Sequence, residues 1–349
     1  MLPHASLTRR QMLHASGLSL AGLCASSSSV FPQANPKTLR AGIIGLDTSH
    51  VVAFTKILNN PKSEGELAGI KVVAAFPGGS PDIASSKNRI EGFTKTLQEQ
   101  YQVEIVPSID ELLKKVDVVL LESVDGRPHL AQVTPVLKAG KPVFIDKPVA
   151  GSLADAIQIY DLAKETRTPC FSSSSLRFAP GVQEMRNQPK VGEVIGCDAY
   201  GPSPTEEHHP DLFWYGIHGC EILFTIMGAG CESVTRTHTK DTDLVAGVWK
   251  GGRIGTFRGI RAGKADYGAT VFGKTGVAPA GGSGGYEPLV VEIAKFFKTG
   301  KPPVSAEETL DIFAFMEAAD ESKRRNGAPV TIENVMVKAR EQIAGKKKS

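Results

Sequence analysis

The stretch "AGKPVFIDKPVAGSLADA" sets an acid and an ammonium group side by side, Asp146 and Lys147, directly after an apolar run. A lysine at the end of a buried strand is partly desolvated, which eases the loss of its proton and suits it to donate a proton or hydrogen bond. Pro148 confines Lys147 to extended backbone. In open α/β sheets, ligands bind at the carboxyl ends of strands. A solvated lysine in an interdomain turn is the alternative. A second stretch, "RAGIIGLDTSHV", opens with Gly42 and Gly45 and runs into a helix through Asp47, Thr48 and Ser49. Gly45 would let backbone approach a phosphate, and the free N–H groups of the helix start would attract one. Asp47 opposes this. A carboxylate about 4 Å from a phosphate costs roughly 4 kcal/mol at an effective dielectric near 20. It must turn away, take a proton, or bond a ribose or substrate hydroxyl; the last is the expectation. A third stretch, "EEHHPDLFWY", has metal-like composition in Glu206, Glu207, His208 and His209. Such a run is more commonly a polar loop, and no metal is expected.

These residues need elements to position them. Residues 38–44, "GIKVVAAF", "VEIV", "DVVLLES" and "PVFI" read as strands, most of them apolar on both faces. They alternate with helical segments: one with Val51, Phe54, Ile57 and Leu58 on one face and Thr48 or Ser49 as cap, one over 82–101, and one opened by Ser108 with Glu111. A further helix runs from about Pro128 to Ala139 and stops at Gly140. That alternation predicts a doubly wound parallel sheet. A helix, "SLADAIQIYDLAKE", follows. From about 190 to 275, short alternating segments such as "LVAGVWK" and "RIGTFRGI" predict an antiparallel sheet; "GVAPAGGSGGYEP" reads as a flexible loop, and the end is helical. The expected fold class is α/β: an amino-terminal doubly wound sheet of Rossmann type over 36–150 and an α+β domain over 151–349 with a mostly antiparallel sheet.

Composition excludes other classes. With 349 residues, 41% hydrophobic, 22% charged and net charge +3, the chain is an ordinary two-domain globular protein without a nucleic-acid surface. The five cysteines show no zinc spacing, and Cys170, Cys197, Cys220 and Cys231 read as buried free thiols, with a disulfide left open. Residues 1–34 have no acid, paired Arg9 and Arg10, and an uncharged run too short and too rich in Ser and Gly to span a membrane. They resemble a twin-arginine export signal, which implies a periplasmic or extracellular protein; Leu23 before Cys24 argues against a lipid anchor.

The "DKP" after the fifth strand, the preceding "GRPHLAQVTPVLKAGKPVFIDKP" and the closing "FFKTGKPPVSAEETLDIFAFMEAADESKRRNGAPVTI" resemble the Gfo/Idh/MocA family of oxidoreductases, over roughly residues 38 to 335. The resemblance implies a domain binding NAD or NADP through Gly42, Gly45, Asp47, Thr48, Ser49, Ser123, His129, Asp146 and Lys147. It implies that Lys147 touches nicotinamide and substrate hydroxyl, and that His218, in "GIHGCEIL", exchanges the proton while hydride moves. The implied substrate is a sugar, polyol or related hydroxy compound, and the implied assembly is a homo-oligomer.

Three departures bear on this. Trp214 stands where the family has Asp. The second strand ends in "FPGGS" rather than in the acid that holds ribose hydroxyls, leaving Ser80, Lys87 and Arg89 as candidates for a 2′-phosphate. The opening loop lacks G-x-G-x-x-G. Two alternatives therefore stand beside net oxidation: a redox-neutral, glycoside-cleaving enzyme with retained NAD, and a degenerate homologue that only binds carbohydrate.

Overall fold

The first sheet is built from six short strands, β1 (Leu39–Ile44), β2 (Ile70–Phe76), β3 (Glu104–Ile105), β4 (Val118–Leu121), β5 (Val143–Asp146) and β6 (Cys170–Ser173). They run parallel in the order β3-β2-β1-β4-β5-β6. Helices α1 (His50–Leu58), α2 (Ala84–Lys87), α3 (Ile90–Tyr101), α4 (Ile109–Leu113), α5 (His129–Lys138) and α6 (Leu153–Thr166) connect them. The computed structural model describes residues 38–346 apart from Gln188 and Ser283. The expected export signal, with Cys24, lies outside the described residues.

Every residue of β4 and β5 is buried, because helices cover both faces of a parallel sheet. Strand order reverses between β1 and β4, which opens a crevice at their carboxyl ends. The loop after β1, the residues after β4 and the Asp146-Lys147 pair after β5 all meet there.

The rest of the chain comprises α7 (Pro180–Asn187), β7 (Val194–Pro202), α8 (Asp211–Trp214), α9 (Gly216–Met227), β8 (Cys231–His238), β9 (Thr242–Trp249), β10 (Ile254–Ile260), β11 (Gly268–Gly273), β12 (Gly276–Gly281), α10 (Glu287–Thr299), α11 (Ala306–Arg324), β13 (Val330–Thr331) and α12 (Ile332–Lys346). Seven of these are strands of a second sheet, ordered β12-β11-β7-β10-β9-β8-β13. It is antiparallel except where β10 runs parallel to β7. The α/β class with a mostly antiparallel second sheet is therefore as expected.

Details differ from the sequence reading. The first sheet takes its sixth strand from Cys170–Ser173, beyond residue 150, and α10 returns to pack Leu289, Val290, Ile293 and Phe296 with Val51 and Phe54. The segment read as a flexible loop begins with edge strand β12, whose Pro279 sits where a missing N–H spoils no central ladder. The helix expected over 82–101 is two helices. Ser49 does not cap α1 and already has helical dihedrals, whereas Thr48 Oγ1 accepts the N–H of His50 (3.5 Å). Cys170, Cys197, Cys220 and Cys231 are buried and free. No helix among the described residues is long and apolar enough to cross a membrane.

Candidate active site

The glycine loop is held from below. Gly45 has φ +87°, and a Cβ there would lie 2.3 Å from Ser123 Oγ, so only glycine lets the loop seat on the residue after β4. Its N–H and that of Leu46 donate to the carbonyls of Phe76 and Pro77. At the start of α1 Ser49 makes no side-chain cap and is exposed, the first turn holds no acid, and only the His50 N–H is met by a side chain, at 3.5 Å from Thr48 Oγ1. The remaining N–H groups keep the anion-attracting character that a dinucleotide pyrophosphate requires. On this ground the loop fits the phosphates of a dinucleotide such as NAD.

Asp47 does not reach outward. It is buried, and its carboxylate accepts from Ser86 Oγ (2.6 Å) and from the N–H of Val124 (2.9 Å). Burial pushes its pKa up, against those hydrogen bonds. The expected bond to a ribose or substrate hydroxyl is replaced by a clamp between the loop, α2 and the segment after β4. Gly42 also falls away from the ligand: it lies within β1, and a Cβ there would press on Val116 and Leu112. His129 is fully buried, its Nε2–H donating to the carbonyl of Ser123 (2.8 Å), and burial lowers its pKa; it props the loop rather than a cofactor. Ser123 gives its hydroxyl to Gln132 Oε1. Ser80, a candidate for a 2′-phosphate, is buried and donates to Asp125 Oδ2 (2.5 Å), while Lys87 and Arg89 are exposed.

Lys147 and His218 converge. Lys147 is buried at the end of β5, with its Nζ 5.4 Å from the centre of the Tyr215 ring. His218 lies on α9, its ring packed edge-on against Tyr215 (5.5 Å) and Tyr267 (5.6 Å). Its Nδ1 is 2.7 Å from Ser174 Oγ, which also accepts the N–H of Leu176. Burial, reinforced by the charge of Lys147, holds His218 well below its usual pKa, so the imidazole is neutral near pH 7. The residue next to it, Gly219, lets α9 approach β10: a Cβ there would lie 2.1 Å from Phe257.

Several contributors were missed in the sequence. His50 stands where the third glycine of a dinucleotide loop belongs, and it bonds Asp146 Oδ2 through Nδ1 (2.6 Å). Its ring stacks on Phe54 (5.4 Å) and meets Tyr286 edge-on (4.7 Å). Glu122, after β4, is wholly buried beside it. The signal for His50 was its presence in the loop; nothing local marks Tyr267 or Tyr286. Glu221 serves structure, paired with buried Arg177 and accepting from Ser173 Oγ.

The "EEHH" run does not converge. His208 is exposed beside Glu206. His209 turns inward under Trp214 (5.1 Å), accepts the N–H of Gly126 at Nε2 (3.3 Å) and donates from Nδ1 to the carbonyl of Pro210 (3.1 Å). Trp214 packs with Ile83 and Val124.

Residues 39–173 match the Gfo/Idh/MocA model, described as an oxidoreductase family with an NAD-binding Rossmann fold. The match covers the amino-terminal sheet, from β1 through β6. An uncharacterized oxidoreductase of Streptococcus pneumoniae is 28% identical over 163 residues, 41% of this chain and 43% of that protein. A Salmonella typhimurium protein named "putative oxidoreductase YceM" is 28% identical over 172 residues, 49% and 50% of the two chains. The chain spans about half the length of these relatives. Among solved structures, scyllo-inositol dehydrogenase from Lactobacillus casei with bound NAD(H) and scyllo-inositol superposes with a TM-score of 0.69 at 15% identity, covering 85% of this chain and all of that one. A structure described as "probable dehydrogenase from Thermotoga maritima" gives 0.69 at 21% identity, covering 85% and 100%. At such identities the likeness is one of fold.

Proposed function

We propose that the whole chain is a Gfo/Idh/MocA-type oxidoreductase that binds NAD and acts on a sugar, polyol or related hydroxy compound. The observation that carries this is the convergence of Lys147 and neutral His218 around Tyr215, at the switch point of an NAD-binding sheet. The chemistry that a bound nicotinamide supplies there is acceptance of hydride. Lys147 donates to the substrate hydroxyl and lowers the cost of its ionisation. His218 takes the proton. With Nδ1–H directed at Ser174 Oγ, Nε2 carries the free lone pair that this requires. Tyr215, Tyr267 and Tyr286 supply apolar walls with polar tips, suited to a hydroxylated ring.

The Arg9-Arg10 segment supports export through the twin-arginine route, which carries folded proteins with cofactor already bound. It also favours a second reading. Outside the cytoplasm no free NAD pool recycles the cofactor, so a retained NAD reduced and reoxidised within one cycle would serve redox-neutral cleavage of a glycoside. The open face of the second sheet supports a homo-oligomer.

The test is calorimetric titration of the purified chain with NAD and NADP, followed by assay on inositols and sugars. NAD binding with oxidation of a polyol is expected. Absence of any bound or bindable nicotinamide would overturn the reading. Glycoside cleavage without added cofactor, by protein that retains NAD through purification, would establish the redox-neutral form instead.

A further inference from the structure

We propose that His50, Glu122 and Asp146 form a site for a first-row divalent metal ion at the carboxyl ends of β4 and β5. Nδ1 of His50 lies 2.6 Å from Asp146 Oδ2 and 3.9 Å from Glu122 Oε2. One ligand atom from each of the three residues falls within 4.8 Å of the others. Ligands around an ion bound at about 2.0–2.2 Å sit roughly 3 Å apart, so modest adjustment brings all three onto one centre.

Glu122 is the observation that points to a ligand. Its side chain is wholly buried, and neither carboxylate oxygen has a hydrogen-bond partner. A buried carboxylate in that state is strongly disfavoured. Protonation removes the charge but leaves the other oxygen still without a donor. A cation satisfies both oxygens' demand for positive charge. The surroundings agree: Asp146 and Asp47 both lie close enough to act on Glu122, with Lys147 as the neighbouring cation. Burial and the charge of Asp146 push Glu122 well above the usual carboxylate range.

The site is also built. Asp146 Oδ1 accepts the N–H of Lys147 (2.9 Å), which leaves Oδ2 directed at His50. The His50 ring is fixed between Phe54 and Tyr286. Packing and outer hydrogen bonds of this kind orient ligands in metal centres. One imidazole and two carboxylates favour zinc or manganese over magnesium, which prefers all-oxygen shells. Three protein ligands leave a coordination position open. That position would face the cleft beside Lys147, where an oxygen of a hydroxylated ligand can reach it.

The experiment uses the full chain, stripped with chelator and titrated calorimetrically with zinc, with magnesium as control. It reads the metal itself, so it succeeds or fails independently of NAD binding. One zinc per chain is expected, with affinity falling at least 100-fold in Glu122→Gln and in Asp146→Asn and unchanged in His208→Gln. No stoichiometric zinc, or equal affinity in Glu122→Gln and Asp146→Asn, would overturn the proposal. Zinc-edge anomalous diffraction from the unmodified protein decides the matter without any variant. A peak among the three side chains supports the site, and a peak elsewhere or none refutes it.

Discussion

At the scale of single residues, the departures from the usual dinucleotide loop have separate explanations. Asp47 replaces a glycine but spends its charge inside the protein, on Ser86 and Val124. Removing it leaves a buried N–H and a buried hydroxyl without their acceptor. Asp47→Ala should therefore lose about 1–3 kcal/mol of stability, read as an earlier urea midpoint. Asp47→Asn, which can still bridge both groups, should lose less. His218 has a different burden. Its ring is held neutral by burial, and if it is the proton acceptor, His218→Asn should lower kcat by about two to four orders of magnitude. Its melting temperature should stay near that of the parent chain. A variant with unchanged kcat would remove His218 from the chemistry.

At the scale of elements, two placements carry the site. Helix α9 brings His218 to the crevice only because Gly219 lets it lie on Phe257 of β10. Gly219→Ala forces the helix outward. Overpacking of this kind costs about 1–3 kcal/mol, and Gly219→Ala should lose activity along with stability in thermal melts and assays. The loop between β7 and α8 is anchored by His209, whose pKa burial lowers to about 4. An unfolded histidine titrates near 6.5. Between those values the unfolded chain binds the extra proton, so this contribution is complete above pH 6.5 and is lost as pH falls toward 4. The span corresponds to about 3 kcal/mol. Urea melts at pH 7 and pH 4.5 should show that loss, and His209→Gln should flatten it. Equal slopes in both proteins would mean that other groups set the acid sensitivity.

At the scale of the whole molecule, the second sheet has one face covered by α9 and one left open. On the open side Tyr200, Val248, Ile254 and Val277 are exposed, between 38% and 63%. Apolar side chains gathered on one sheet face call for a cover. We expect a dimer or tetramer by light scattering at micromolar concentration, and dissociation in a Val248→Lys, Ile254→Lys double variant. A monomeric parent chain would contradict this.

What the sequence by itself determined is what short-range pattern encodes. Apolar runs alternating with amphipathic helices specify a doubly wound sheet, because only that arrangement buries both faces of each strand. The "DKP" after β5 located Lys147 because the carboxyl end of such a strand opens on the crevice. Gly45 and Gly140 were legible as turn and stop; both have positive φ. The tertiary structure decided everything that depends on partners distant in the chain. Asp47 meets Val124 across 77 residues, and His50 meets Asp146 across 96. No local pattern says whether a loop carboxylate faces a phosphate or a backbone N–H. The same holds for Gly42 and His129, which packing turned from ligand contacts into supports. Glu122 carries no motif at all. Its importance comes from being buried without a hydrogen-bond partner beside His50 and Asp146, and that is a property of the assembled crevice.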